Sequence, residues 1–414
     1  MKSTGLKCPS LRTRNLLLLI LLGSLLIMPG GCTNSSTQIE STPTGTLETT
    51  SRETAPETSD VPSTTGTSSQ TAATVTQPAA TPKLTSESTS VATATSTTAP
   101  TTSKTTTPAT SPSQTEPVQY NAVVGLGLGK DYAATTAQAI ANAGGLSRLI
   151  EADSTVLIKP NLCWSNITSR PVNTDYRVVE EIVRQVRSAG AGRIIIAEGP
   201  FGPECFSEAM LACNHYDRID GVELISFNVL TEEDCYERTG RNSVTGKALF
   251  IPKIYVDADV VITVAKMKTH NAGMVTLGLK NAFGVPPRSI YGTSGAESGS
   301  KIKLHEEFDF NAAIVEINLI RTPDFVVIDG IVAGEGNGPL KNTSVDAQII
   351  IAGSDIVAVD TVAATFMGFN PAKIPHLALA VTAGLGEGDL AFIKVVGGNL
   401  SDLIMDFESI FPKD

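Results

Sequence analysis

The stretch "AKMKTHNAGMVTLGLKNAFG", residues 265–284, follows the apolar run "DVVITV" and gathers Lys266, Lys268, His270 and Lys280 in a chain of net charge −11. In extended backbone Lys266, Lys268 and His270 occupy alternate positions and point to one side. Cations clustered behind apolar flanks suit a small carboxylate or phosphate, because a dry cleft lets them stabilise negative charge by several kcal/mol. Similar polar groups close other apolar runs. "VLIKPNL" ends on Lys159 and Asn161, with Pro160 barring a helix between them. "IIIAEGP" places Glu198 before a Gly-Pro break, and "VVIDGIVAGEGNGP" places Asp329, then Glu335 and Asn337 among glycines. Asp360 lies in "IVAVDTVAATF", where an acid among apolar neighbours needs a partner.

These residues define the expected roles. Lys266, Lys268 and Lys280 clamp the anion, with Lys159, Asn161, Asn281, Glu335 and Asn337 as further ligand contacts. Glu198 or His270 moves protons, and Asp329 with Glu335 or Asp360 holds a divalent cation. Carboxylate and carbonyl donors favour Mg²⁺ or Ca²⁺ over zinc, and the sequence has no HxH or HExxH spacing. The piece "DGIVAGEGNGP" matches neither the dinucleotide nor the Walker pattern; its glycines suit close approach of backbone to a ligand. "VVGLGLGKDY", by contrast, reads as a strand running into a helix, with glycines of structural use.

The elements that must position these groups are strands and helices in alternation. "TVLIKPNL", "RIIIAEG", "VELISFN", "DVVITVAK", "DFVVIDGI", "AQIIIAG" and "IKVVGG" are β-branched runs, apolar at consecutive positions, as in strands covered on both faces. Between the first two, Val178, Val179, Ile182, Val183 and Val186 recur at helical spacing, with Thr174 or Asp175 able to cap the start. Helices are also expected over "EFDFNAAIVEINLIR" and "SDIVAVDTVAATFMG", the latter capped by Asp355. The result is an α/β domain with a largely parallel sheet and helices on both faces. Ligands in such sheets bind beyond the carboxyl ends of the strands, where the polar residues fall.

Three regions of different physics surround that expectation. Residues 1–32 carry Lys2, Lys7, Arg12 and Arg14, then "LLLLILLGSLLIM" and "MPGGC", the pattern of a lipoprotein-type signal that is lipidated at Cys32. Residues 33–117 are dominated by Thr, Ser, Pro and Ala without an aromatic residue, so they bury too little to fold and read as a disordered spacer. A coil of about 85 residues sets the domain roughly 50 Å from its anchor. Residues 118–414 form the α/β domain. The expected location is the extracytoplasmic side of a membrane, touched through the N-terminal lipid alone. With no basic stripe, nucleic acid is not an expected partner.

The ordered set "VLIKPNL", "GRIIIAEGP", "DVVITVAKMKTH", "LGLKNAFG", "VIDGIVAGEGNGP" and "GSDIVAVDTVAATFMGFNP" resembles the bacterial and archaeal family known as domain of unknown function 362, from about Val123 to Val396. Relatives that carry a ferredoxin module imply redox surroundings and a redox partner protein, but no C-x-x-C-x-x-C run exists here. Of the domain cysteines, Cys163 follows the "KPN" strand end, and Cys205 or Cys213 could meet Cys235 outside the cytoplasm. Three functions follow: an enzyme with a lysine clamp and a carboxylate-held cation, a non-catalytic binding protein for an anionic solute or cofactor, and an accessory to an extracellular redox or iron-sulfur system.

Overall fold

The computed structural model describes residues 119–163, 171–201, 214–293 and 301–413. The signal, the Thr/Ser/Pro-rich segment, Cys32, Cys205 and Cys213 lie outside the described residues. All the apolar runs named above become strands. They are β1 (Ala122–Leu128), β2 (Thr155–Pro160), β3 (Arg193–Glu198), β4 (Glu223–Ser226), β7 (Val260–His270), β9 (Phe325–Asn337), β11 (Ile349–Gly353) and β12 (Ile393–Val396). A ribbon of β5 (Cys235–Arg238) and β6 (Leu249–Pro252), and short partners β8 (Met274–Thr276) and β10 (Lys341–Val345), complete the set.

The main sheet runs β12-β1-β11-β9-β7-β2-β3-β4. Every neighbouring pair along this path is parallel except the two made by β11, which is antiparallel to both β1 and β9. Alternate strand residues feed opposite cores. On one face Val156, Ile158, Ile194, Ile262, Phe325 and Val327 pack with α1 (Tyr132–Asn142) and α2 (Tyr176–Ser188). On the other, Val326, Ile328 and Ile351 meet α6 (Ile356–Phe366) and α7 (Pro375–Thr382), while Leu157, Ile195 and Val261 meet α5 (Phe310–Ile320). The sheet is thus largely parallel and covered on both faces by helices.

Local chemistry sets the helix starts. Asp131, Asp175, Asp309 and Asp355 each cap a helix by accepting backbone N–H groups of its first turn, a contribution of about 1 kcal/mol apiece. The β1 glycines have a packing reason. A Cβ on Gly125 would lie 2.2 Å from the Ala139 carbonyl and one on Gly127 2.0 Å from that of Thr135, so α1 lies directly on the strand backbone. Two short helices finish the scaffold of the site: α3 (Gly278–Asn281) and α4 (Ile302–Glu307).

Candidate functional site

The carboxyl ends of β2, β3 and β7 open onto a cavity of about 470 Å³. Its wall includes Asn161, Cys163, Glu198, His270, Lys280 and Asn281, facing Phe283, His305, Phe310 and the hairpin tip Asn337–Lys341. The location matches the expectation for an open α/β sheet.

The buried lysines do not all face this space. Lys159 is fully buried and pairs with Glu198 at 3.0 Å. Glu198 also accepts from the backbone N–H of Leu162 at 3.2 Å and of Gly199. That carboxylate is consumed by structure, so it is a wall of the cavity rather than a free proton carrier. Lys266, 3% exposed, pairs with Asp329 at 2.8 Å, directly across the β7–β9 register. Asp329 further accepts from the N–H of Asp175 at 2.9 Å.

Lys268 reaches toward the chain leaving β2. Its Nζ is within hydrogen-bond reach of Asn161 Oδ1 at 2.8 Å, Cys163 Sγ at 3.0 Å and the Val172 carbonyl. Lys266 and Lys268 do alternate with the core residues Ala265 and Met267, but each is already engaged, Lys266 by Asp329 and Lys268 by Asn161, Cys163 and Val172, so the pair is not a free clamp. Burial lowers the pKa of both Lys159 and Lys268; Glu198 opposes this at Lys159 and Cys163 opposes it at Lys268.

Asn161 and Asn281 knit these groups together. Asn281 Oδ1 accepts from Lys159 Nζ at 3.2 Å and Asn161 Nδ2 at 3.0 Å, while its Nδ2 donates to Thr263 Oγ1 at 2.8 Å. Gly284 backs the ion pair, since a Cβ there would lie 2.4 Å from Glu198 Oε2 and 2.8 Å from Lys159 Nζ.

Lys280 is different. Partly buried on α3, it forms no hydrogen bond or ion pair among the described residues, and its ammonium lies 5.5 Å from the Phe310 ring centre and 5.9 Å from that of Phe283. Burial lowers its pKa to about 8, with Cys163 acting in the opposite sense. His270 Nδ1 accepts from the N–H groups of Ala272 (3.0 Å) and Gly273 (3.2 Å), which caps the turn and leaves the ring's Nε2 to carry the proton of the neutral form. Burial, then the nearby Lys280, lowers the His270 pKa, and the same causes lower that of His305. His305 stacks on Phe310 at 5.4 Å and 10°, and Phe283 closes the aromatic group at 5.2 Å from Phe310.

The expected divalent-cation site is not assembled. Asp329 projects with Phe325 and Val327 toward the α1/α2 face, whereas Asp360 belongs to α6 on the opposite face. Both Asp360 oxygens are taken by the N–H groups of Gly278 (2.7 Å) and Leu279 (2.8 Å), and burial raises its pKa to about 7. Among the described residues, no group of three His, Cys, Asp or Glu side chains is placed to hold a metal. Glu335 accepts from the Glu408 N–H at 2.9 Å and does not line the cavity, while Asn337 does. The "AGEGNG" segment is a continuation of β9 paired with β10, not an anion loop; a Cβ on Gly338 would lie 2.0 Å from the Thr269 carbonyl. Cys163 and Cys235 are free thiols.

Several residues of the wall were not singled out from sequence, among them Phe283, Lys301, His305 and Phe310. Phe283 lies within "LGLKNAFG" without standing out as a wall residue, and the runs "KLHEE" and "DFNAA" carry no signal beyond ordinary helix composition.

The model of the family DUF362, a domain of unknown function, matches residues 156–365, just over half of the chain and a span that includes the whole cavity wall. The chain belongs to this family. A thylakoid-associated protein of Synechocystis is 28% identical over 242 residues, covering 58% of this chain and 72% of the relative. Among solved structures, the lactate racemase apoprotein of Thermoanaerobacterium thermosaccharolyticum aligns with a TM-score of 0.38 and 14% identity. That alignment covers 64% of this chain and 57% of the racemase chain, under two thirds of that protein's length. A Thermotoga maritima protein aligns with a TM-score of 0.30 and 10% identity, over 49% of this chain and 53% of its own. The DUF362 segment thus carries Lys159, Glu198, Lys268, Lys280 and Asp360 on the elements described.

Proposed function

We propose that this DUF362 domain binds a small organic anion, a carboxylate or phosphate with a flat apolar body, in the cavity beyond β2, β3 and β7. The observation that carries this is Lys280: a cation with no hydrogen bond or ion pair among the described residues, set over two phenyl rings at the wall of a 470 Å³ space. Lys159 and Lys266 have carboxylates of their own and are scaffold. Lys280 supplies the charge, the His270 Nε2–H a hydrogen bond, and Phe283, Phe310 and His305 the apolar contact. Calorimetric titration of the full chain with benzoate, phenyl phosphate and the neutral isostere benzamide tests this. Binding of at least one anion, absent with benzamide and weakened tenfold or more in Lys280→Met, is expected; equal binding of benzamide, or an unaffected variant, overturns it.

The domain acts at a membrane surface, tethered through a lipid on Cys32 and the 33–117 spacer. The pattern "MPGGC" after an apolar run supports this reading. The thylakoid association in the name of the Synechocystis relative is consistent with it. Membrane fractionation of cells expressing the wild type and Cys32→Ser tests it: loss from the membrane in the variant is expected, and retention refutes the lipid tether.

A further inference from the structure

Beneath the cavity, Lys159, Lys266 and Lys268 are each in contact with one other ionisable group. Lys159 touches Glu198 and Lys266 touches Asp329. Lys268, fully buried, forms no ion pair with a carboxylate among the described residues; the ionisable group it touches is Cys163, whose Sγ lies 3.0 Å from Nζ. The thiol is held in place. Its backbone N–H donates to Asn173 Oδ1 at 2.7 Å, and Asn161 Oδ1 lies 3.8 Å from Sγ while also accepting from Lys268. Unlike Cys235, which is 6% exposed and whose pKa burial pushes up to about 12, Cys163 is partly exposed and lines the cavity with Lys280. A nucleophile within hydrogen-bond reach of an amine, itself fixed by a third group, is the arrangement that activates a thiol.

We propose that Cys163 is a nucleophilic site within this cavity, with Lys268 as the proton acceptor for its thiol, and that its ligands are anions carrying an electrophilic carbon. Burial, which lowers the Lys268 pKa, favours the neutral amine that this transfer requires. The S–H proton passes to Lys268 Nζ and the sulfur electron pair forms the S–C bond. With a 2-oxo acid the carbonyl π pair moves to oxygen, which regains the proton from Lys268, giving a thiohemiketal with no leaving group. With a haloacid, halide departs with the C–halogen pair. The anionic half of the ligand class rests on the Lys280 reading above; the nucleophile does not.

Alkylation of the reduced full chain at pH 7 with iodoacetamide, neutral, and iodoacetate, its anionic counterpart, separates the two. Peptide mass spectrometry follows each cysteine. Iodoacetamide is expected to label Cys163 at least about tenfold faster than glutathione, whose unassisted thiol is only a few per cent ionised at this pH, and far faster than Cys235. Lys268→Met removes that advantage. Iodoacetate is expected to gain roughly a further tenfold at Cys163 relative to its ratio on glutathione, a gain lost in Lys280→Met while iodoacetamide labelling persists. Slow iodoacetamide labelling of the wild type, which needs no variant to fold, overturns the nucleophile. Fast iodoacetamide labelling without an iodoacetate gain leaves the nucleophile standing and overturns the anion site.

Discussion

Replacing Lys280 by methionine is expected to make the protein more stable at neutral pH and unable to bind its anion. Burial lowers the Lys280 pKa from 10.5 to about 8, so the folded state holds this proton less tightly than the unfolded chain. A tenfold change in proton affinity is worth about 1.4 kcal/mol, so the gap corresponds to about 3 kcal/mol. Part of the side chain reaches solvent, and screening reduces this to about 1–2 kcal/mol. The sign follows from proton counting. Between pH 8 and 10.5 the unfolded state binds more protons at this position, so wild-type stability rises with pH there; below pH 8 the full cost is present. Methionine removes that cost. Urea denaturation should therefore show Lys280→Met about 1–2 kcal/mol more stable than wild type at pH 7, an advantage that has gone by about pH 10.5. Benzoate titration should show at least a tenfold loss in the variant, and wild-type affinity falling as pH rises through about 8. A variant less stable than wild type at pH 7, or one that still binds benzoate, refutes the assignment of Lys280 as a strained, functional cation.

Other expectations follow from the scaffold pairs. Lys159→Met strands Glu198 in the interior and should cost about 3–5 kcal/mol by urea denaturation, with part recovered in Lys159→Met/Glu198→Gln; equal loss in single and double variants would deny the pair. Lys266→Met should cost stability through Asp329 yet leave benzoate affinity unchanged, and a tenfold loss of affinity would return Lys266 to the clamp. Asp360, whose pKa burial raises to about 7, contributes stability fully present below about pH 4 and lost as pH rises through 7. Wild type should thus lose stability relative to Asp360→Asn between pH 5 and 8; a flat difference across that range would mean the carboxyl is not strained.

Much of the architecture was legible because it is written in consecutive β-branched residues and in Asp caps, both local signals. "DVVITV" and "DFVVIDGI" are apolar on both faces and lie side by side, parallel, in the sheet. The site was less legible for a specific reason. Residue types told which side chains are polar, and those at strand ends do gather near one rim: Lys159, Asn161, Glu198, Lys268, His270, Lys280 and Asn281. They did not tell which cations are already neutralised. Lys266 looks no different from Lys280 in sequence until β9 brings Asp329 opposite it. Asp360 looked like a metal ligand or a buried orphan, and only the approach of α3 gave its oxygens two backbone donors. The aromatic wall was silent because Phe283, His305 and Phe310 come from separate turns whose meeting is a tertiary event.

The single turn of α3 joins two compartments that the side chains otherwise keep apart. Lys280 looks out over the rings, and the next residue, Asn281, reaches back to the amide of Asn161, which in turn holds Lys268 Nζ next to Cys163. One peptide bond therefore couples whatever draws on Lys280 to the alignment of the thiol. A guest seated on the cation would be felt at the sulfur through two amides, without any strand of the sheet having to move.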